Sequence, residues 1–200
     1  MAELFNEEII SQATHTKWAG KTVHFAREID STNLWGKRAW KEEGAGHGEL
    51  FVAEYQSAGR GRFTRRWSAP PESAITMSLL ICPEFAPQKA PMMTLVMGLS
   101  VAQAVEDLGL DVGIKWPNDV VVSRKKICGI LTEMSVESES GYIQYLIIGI
   151  GINVNEQAED FPEEVRHIAT SLAMETGKTH SRAALAAALI RELDSMCQAW

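Results

Sequence analysis

Residues 142–153 read YIQYLIIGIGIN, a long apolar run that is broken by Gly149 and Gly151. A run of this kind, bounded by polar residues, is typical of a buried β-strand. It is apolar enough to lie at the centre of a sheet or at the interface of a homodimer, and the sequence does not choose between these two places. The oligomeric state therefore stays open between a monomer and a homodimer.

The elements predicted around this strand do not alternate regularly between helix and strand. Apolar patterning predicts further strands at residues 22–28, 50–55, 74–82, 112–116, 120–122 and 127–135. Helices are predicted at residues 4–15, 33–43, 91–108 and 181–200. Ser31 is the expected N-cap of the helix at 33–43, which should end near Gly44. This order favours an α+β fold, in which helices back a mixed, mostly antiparallel sheet.

Length and composition set limits on the class of protein. The chain has 200 residues, of which 46% are hydrophobic and 22% charged, values that are typical of one globular domain. A net charge of −7 argues against a surface built to coat nucleic acid. The three cysteines, Cys82, Cys128 and Cys197, fit neither a full disulfide framework nor a zinc pattern, and they indicate a reduced, cytoplasmic setting. No segment reaches the ~18 apolar residues that span a bilayer, so no membrane association is expected.

The segment QSAGRGRFTRRW at residues 56–67 lacks apolar periodicity and predicts a loop. Gly59 and Gly61 let its backbone approach a ligand closely. Four arginines within residues 60–66 offer guanidinium groups that suit carboxylates and phosphates. The alternatives for such a loop are a solvated basic surface or a patch that binds nucleic acid.

Two further segments carry charged groups at the ends of predicted strands. In KWPND, residues 115–119, a rigid turn projects Lys115 towards a phosphate and Asp119 towards a metal ion. The alternative is an ordinary hairpin turn with Trp116 in the core. In RKKICGIL, residues 124–131, Lys126 precedes an apolar strand and is predicted to reach into a pocket floored by Gly129. The alternative there is a charged hairpin tip, and Cys128 is expected to be a small buried residue and not a nucleophile.

Five motifs in this order resemble the biotin–protein ligase (biotin–acetyl-CoA-carboxylase synthetase) family. They are Ser31-Thr32-Asn33, Gln56 with the GRGR loop that runs on to Trp67, KWPND, Lys126 before ICGI, and GIGIN at residues 149–153. One departure is Phe63-Thr64, where many members have Arg-Gly. The resemblance implies that residues 1–200 form a class II synthetase-like catalytic domain. It also leads us to expect no N-terminal winged helix, and a C-terminal β-barrel that is absent or truncated.

The resemblance implies an activity and a set of site residues. The activity is ATP-dependent biotinylation of a carrier-protein lysine through biotinyl-5′-AMP, with ATP and biotin as substrates and Mg²⁺ as the metal. The catalytic cations would be Arg60, Arg62 and Lys126. The residues expected at biotin are Ser31, Thr32, Asn33, Gln56, Arg60, Gly61, Arg62, Lys126 and Gly129. Those expected at ATP are Arg62, Arg65, Trp67, Lys115, Asn118, Asp119, Lys126 and Asn153, and Asp119 is also the candidate ligand of Mg²⁺.

The expected partner is the biotin carboxyl carrier protein or domain of a biotin-dependent carboxylase, with no nucleic acid. Three other functions are open. A lipoate–protein ligase or octanoyltransferase has a related fold, but those proteins lack the GRGR loop and favour a triple-glycine stretch. A non-catalytic protein that binds biotin or biotinyl-AMP would hardly need both Arg62 and Lys126. A nucleic-acid-binding module would use the basic loop, but the net acidity and the expected lack of a winged helix weigh against it.

Overall fold

The computed structural model describes residues 16–197 together with Phe5 and Ile10, and a seven-stranded sheet forms the centre of this part of the chain. The strands are β1 (Val23–Ile29), β2 (Leu50–Gln56), β3 (Ala74–Ile81), β4 (Val112–Lys115), β5 (Asp119–Val122), β6 (Lys125–Val136) and β7 (Ile143–Asn153). Their order across the sheet is β1-β2-β3-β7-β6-β5-β4. Only the β1–β2 pair is parallel, which confirms the predicted mixed, mostly antiparallel sheet.

The helices of the described residues lie against both faces of this sheet. They are α1 (Thr32–Arg38), α2 (Ala90–Glu106), α3 (Leu172–Thr176) and α4 (Arg182–Cys197), with short 3₁₀ turns at Pro87–Lys89 and Ala158–Asp160. A π-helical turn, Ala39–Glu43, extends α1 and ends at Gly44, whose φ is 72°. Ser31 occupies the predicted N-cap position but makes no side-chain capping bond. None of the described helices is long and apolar enough to cross a membrane.

The predicted helix at residues 4–15 lies outside the described residues except for Phe5 and Ile10, and so do the last three residues of the helix predicted at 181–200. The short helix α3 was not predicted. Trp116 lies beyond the end of β4, so the strand predicted at 112–116 is one residue shorter.

Strand β7 lies at the centre of the sheet, which is one of the two places predicted for it, and not at a homodimer interface. It pairs with β3 on one side and β6 on the other, and nearly every residue along it is buried. Alternate side chains of the strand enter different apolar clusters because successive side chains of a strand point to opposite faces. Ile148, Ile150 and Ile152 belong to a cluster that includes residues of α2 and α4. Ile147 belongs to a smaller cluster with Phe51.

Candidate active site

Three glycines leave a strip without side chains on the face of the sheet that carries Ile147. Gly149 and Gly151 follow Ile147 in β7, and Gly151 pairs with Gly129 of β6. A Cβ at Gly149 would collide with the Asn33 side chain, and one at Gly151 would lie 2.5 Å from the Trp67 ring. The strip is therefore glycine because α1 and the segment that contains Trp67 approach the sheet too closely for any side chain. The Trp67 indole rests on this strip, and its Nε1 is buried without an acceptor among the described residues.

A buried polar cluster stands at the Gly149 end of the strip. Gln56 Oε1 accepts hydrogen bonds from the Thr32 amide at 2.8 Å and from the Thr32 hydroxyl at 3.1 Å. The Ser78 hydroxyl lies 2.6 Å from Asn33 Oδ1 and 2.7 Å from the Thr32 hydroxyl. The structure thus brings together three residues predicted to contact biotin, Thr32, Asn33 and Gln56, and Ser31 is buried beside them.

Ser78 belongs to this cluster but was missed in the sequence. Its signal was a serine in the mostly apolar strand β3, where it is fully buried. Buried hydroxyl groups need hydrogen-bond partners, so such a position indicates a polar network nearby.

Glu133 extends the cluster towards the arginine loop, and it too was missed. Its carboxylate accepts hydrogen bonds from Asn33 Nδ2 at 2.9 Å, from Lys37 Nζ at 2.6 Å and from Arg60 at 3.0 Å. Burial opposes the ionisation of Glu133, but the bonds from Lys37 and Asn33 outweigh it and leave its pKa below the ordinary value. Glu133 is therefore anionic at neutral pH.

The predicted loop at residues 56–67 folds back on itself as a hairpin, which we call the arginine hairpin (residues 59–67). The Trp67 amide donates to the Gly59 carbonyl at 3.0 Å, and the Gly61 amide donates to the Arg65 carbonyl at 2.8 Å. Phe63 and Thr64 form its tip with φ values of 52° and 64°, a left-handed conformation that glycine adopts more easily. A cavity of about 280 Å³ beside the hairpin is lined by Ala58, Gly59, Arg60, Gly61, Thr64, Arg65 and Arg66.

The three predicted catalytic cations have different partners. Arg60 is paired with Glu133, and Lys126 Nζ lies 2.7 Å from Asp119 Oδ1. Arg62 donates to the Asn118 side-chain oxygen at 3.0 Å and lies over the Phe63 ring at 4.8 Å. Within the described part of the chain, no carboxylate is in ion-pair contact with Arg62. Its charge is therefore the least neutralised of the three and the most available to an anionic ligand.

Lys126 occupies the end of the strip opposite to the polar cluster. Its Nζ lies 2.8 Å from the position that a Cβ of Gly129 would take, so the side chain covers Gly129 as predicted. The Lys126 amide donates to the Ile168 carbonyl at 2.7 Å, and its carbonyl accepts from the Thr170 amide at 3.0 Å. Asn153 reinforces this arrangement, since its Nδ2 donates to the Thr170 carbonyl at 2.9 Å. The backbone of Lys126 is thus fixed by hydrogen bonds, and the residue does not lie at a free hairpin tip.

The KWPND segment forms the turn between β4 and β5 beside Lys126. Trp116 is 77% exposed, so the alternative that placed its ring in the core is wrong. Asn118 is anchored to β6, where its Nδ2 donates to the Ile130 carbonyl at 3.1 Å. Lys115 is exposed at the end of β4. The turn therefore brings the polar groups of Asn118 and Asp119, but not Lys115, into contact with residues of the site.

The described residues do not by themselves fit a Mg²⁺ ion. No group of three His, Cys, Asp or Glu side chains among them could hold a metal, and the Asp119 carboxylate is paired with Lys126. Mg²⁺ prefers several oxygen ligands, which one engaged carboxylate does not supply. Cys128 is buried as predicted, and burial raises the pKa of its thiol to about 12, which excludes it as a nucleophile near neutral pH.

Comparison with known proteins identifies the family of this chain. Residues 25–153 match the model of the biotin/lipoate A/B protein ligase family. The chain belongs to that family. Within the family it is 46% identical over 140 residues to the bifunctional ligase/repressor BirA of Bacillus spizizenii, covering 70% of this chain and 42% of that protein. It is 34% identical over 158 residues to the biotin–[acetyl-CoA-carboxylase] ligase of Mycobacterium tuberculosis, covering 76% and 55%.

The family fold is also found among solved structures. The biotin protein ligase from Aquifex aeolicus in complex with biotin and ATP superposes with a TM-score of 0.73 at 33% identity, over 89% of this chain and 71% of that one. The α+β ligase fold predicted from the motifs is therefore confirmed. The chain spans about half the length of the curated ligases it matches.

Proposed function

We propose that this chain is the catalytic domain of a biotin–protein ligase, which activates biotin with ATP and transfers it to a lysine of a carrier protein. One observation carries the proposal. A polar cluster around Thr32 and Gln56 lies at one end of a glycine strip that the Trp67 indole covers, and two cations, Arg62 and Lys126, lie near the other end. This arrangement suits a ligand with an uncharged polar head, an apolar body and an anionic tail. Biotin has this form, and the Aquifex ligase supports the assignment because it was solved with biotin and ATP.

In the first step, a carboxylate oxygen of biotin attacks the α-phosphorus of ATP and pyrophosphate leaves, which gives biotinyl-5′-AMP. The two reactants are both anionic, so cations fixed at the point of contact lower the barrier. Arg62 and Lys126 take this role, and the Lys126–Asp119 pair must loosen as the phosphate arrives. The ureido ring of biotin would bond to Thr32 and Gln56 in place of part of their mutual hydrogen bonding.

In the second step, the ε-amine of the carrier lysine attacks the acyl carbon of biotinyl-5′-AMP. An amide bond forms, the amine loses a proton and AMP leaves. Lys126 would stabilise the phosphate of the leaving AMP, since the first step brings the α-phosphate to the same cation. The carrier would be the biotin carboxyl carrier protein or domain of a carboxylase, consistent with the name of the mycobacterial relative.

ATP would lie across the hairpin and the β5–β6 edge. Trp67 has one ring face against the glycine strip, and its other face would stack on adenine. Arg65 lines the hairpin cavity and suits the phosphates, with Asn118 and Lys115 at the neighbouring turn. Asn153 uses its amide to hold Lys126 and Thr170, so its predicted bond to adenine requires rearrangement or its remaining oxygen. Mg²⁺ and a cytoplasmic location stay predictions.

The family name includes lipoate as well as biotin, so the acid that is activated is the point to test. The protein is mixed with ATP, magnesium and biotin, with lipoate in a parallel reaction, and the small molecules are analysed by mass spectrometry. We expect biotinyl-AMP with biotin and no adenylate with lipoate. Lipoyl-AMP alone would assign the chain to the lipoyl branch. No adenylate in either reaction, with biotin bound by calorimetry, would favour a protein that only binds biotin.

A further inference from the structure

Glu133 links three elements that belong to different parts of the site. It projects from β6, and it binds Lys37 and Asn33 of the α1 region and Arg60 of the arginine hairpin. Its side chain is 18% exposed, whereas that of Arg60 is 41% exposed. The carboxylate is thus the rigid member of the pair, and the arginine belongs to the segment that it restrains.

We propose that Glu133 is a positioning residue that clamps the arginine hairpin over the glycine strip through Arg60. This inference rests on the proposed function, because it concerns how the same site retains its adenylate. In this arrangement Arg60 forms an ion pair with Glu133 and holds the hairpin in place. Arg62 has no carboxylate partner among the described residues, so its charge interacts with the substrate. The predicted catalytic role of Arg60 is thereby replaced by a positioning role.

Apart from the Trp67 ring, which packs on the glycine strip, the hairpin has few other attachments to the sheet. The bonds between Gly59 and Trp67 and between Gly61 and Arg65 are internal to the hairpin and do not fix its position. Its side-chain bonds to the sheet region are those of Arg60 to Glu133 and Arg62 to Asn118, within the described residues. The Arg60–Glu133 bond joins two opposite charges, whereas the Arg62–Asn118 bond joins a charge to a neutral amide, so the first is the stronger of the two hydrogen-bonded attachments.

Glu133 also bonds to the polar cluster at the Gly149 end of the strip. Asn33 donates to Glu133 and accepts from Ser78, which in turn contacts the hydroxyl of Thr32. The groups expected to bind the ureido ring and the hairpin expected to cover the adenylate therefore share one hydrogen-bond network. A clamp at Glu133 fixes both relative to the same strand.

The test compares Glu133→Gln, Arg60→Met and the double variant with wild type. Glu133→Gln keeps the shape of the side chain and removes its charge. We expect biotinyl-AMP to be released about tenfold faster from Glu133→Gln, as befits the loss of a charge-assisted hydrogen bond. Biotin affinity should fall less, because the new amide oxygen can still accept the hydrogen bond from Asn33. Arg60→Met should give the same increase, and the double variant should release no faster than either single variant.

A second measurement does not depend on catalysis. Trypsin cleavage after Arg62, Arg65 and Arg66, mapped by mass spectrometry, should accelerate in Glu133→Gln and in Arg60→Met. Lys37→Met is the matched control, because it removes another partner of Glu133 without touching the hairpin, and its cleavage should equal that of wild type. If Glu133→Gln does not fold, as judged by circular dichroism, Arg60→Met alone carries the cleavage comparison.

Equal cleavage of the hairpin in wild type and the variants would overturn the inference. So would additive effects of Glu133→Gln and Arg60→Met on adenylate release, because a purely structural role of Glu133 persists without Arg60. Wild-type protein that forms no biotinyl-AMP would instead refute the proposed function, and the cleavage comparison would still decide on the clamp.

Discussion

At the scale of the residue, Lys126 is the side chain on which the proposed chemistry most depends. Its charge matters most when negative charge gathers between the carboxylate and the α-phosphate, so it should stabilise the transition state more than bound biotin. We expect Lys126→Ala to lower the rate of biotinyl-AMP formation about 10²-fold or more, while the Kd for biotin changes little. Single-turnover kinetics and calorimetry measure the two quantities. Lys125→Ala is the control, because successive side chains of a strand point to opposite faces. An unchanged turnover number in Lys126→Ala would contradict the role.

Gly151 allows a second prediction about a single atom. A Cβ there would lie 2.5 Å from the Trp67 ring, so Gly151→Ala must push the indole off the strip. Overpacking of this kind costs about 1–3 kcal/mol, and we expect the affinity for ATP to fall about tenfold or more with the fold retained. Gly46→Ala is a fair control, since its Cβ would meet only the end of the Glu49 side chain, at 3.8 Å. Calorimetry that finds the wild-type Kd for ATP in Gly151→Ala would show that the indole does not shape the adenine site.

At the scale of the element, the arginine hairpin is the segment whose stability should depend most on bound ligand. Its arginines repel one another and its tip is held in a left-handed conformation at Phe63 and Thr64, so an anionic ligand should stabilise it. We predict that biotin with ATP slows trypsin cleavage between residues 60 and 67 several-fold, while cleavage after Lys178, outside the site, is unchanged. Equal cleavage of the hairpin with and without ligands would refute an order–disorder role for it.

The secondary-structure elements were predictable where the signal is local. The strand predicted at 50–55 is Leu50–Gln56, and the one predicted at 142–153 is Ile143–Asn153, because apolar runs and their boundaries lie within each segment. Helix α3 was missed since its five residues, Leu172–Thr176, are too few to show a periodic stripe. The strand order was not predictable either, because pairs such as Ala74 with Asn153 join distant parts of the chain.

The candidate site divides in the same way. Thr32, Gln56 and Lys126 lie in contiguous motifs, so the resemblance to a family found them. Glu133 lies in a strand without a recognisable motif. Its role follows from its contacts with Lys37 and Arg60, which belong to two other elements and are distant in the sequence. The different roles of Arg60, Arg62 and Lys126 could not be predicted from the sequence either. They depend on which carboxylate, if any, the fold places beside each cation.

At the scale of the whole molecule, buried charges connect the ends of the described chain to the sheet. Arg182 at the start of α4 is 2% exposed and binds Glu54 of β2 and the ring of Phe5. Asp194, later in α4, accepts hydrogen bonds from the amides of Trp18 and Ala19. Burying such groups is costly unless they are paired, so these contacts fix where α4 and the segment before β1 lie. The site lies on the opposite face of the sheet. The position of that sheet therefore depends on contacts made by residues outside the five motifs.

Glu156 is the buried charge that should make the stability of this frame depend on pH. It follows β7, it is 1% exposed, and burial raises its pKa from an ordinary value of 4.5 to about 7, with nearby backbone amides offsetting this only in part. Between these two values the folded protein holds a proton that the unfolded chain has released, so the free energy of unfolding falls as the pH rises. The loss due to this group is complete above pH 7 and amounts to about 3 kcal/mol.

Replacing Glu156 by Gln removes the titrating group and nearly keeps its shape. We therefore expect Glu156→Gln to match wild type in urea unfolding near pH 4.5 and to be more stable by about 2–3 kcal/mol at pH 8, since the variant has no charge to bury. Glu159→Gln, which changes an exposed carboxylate three residues away, should not alter the difference between the two pH values. A variant Glu156→Gln that is destabilised equally at both pH values would mean that the carboxylate is bound by a partner in the folded protein and that its ionised form stabilises the fold.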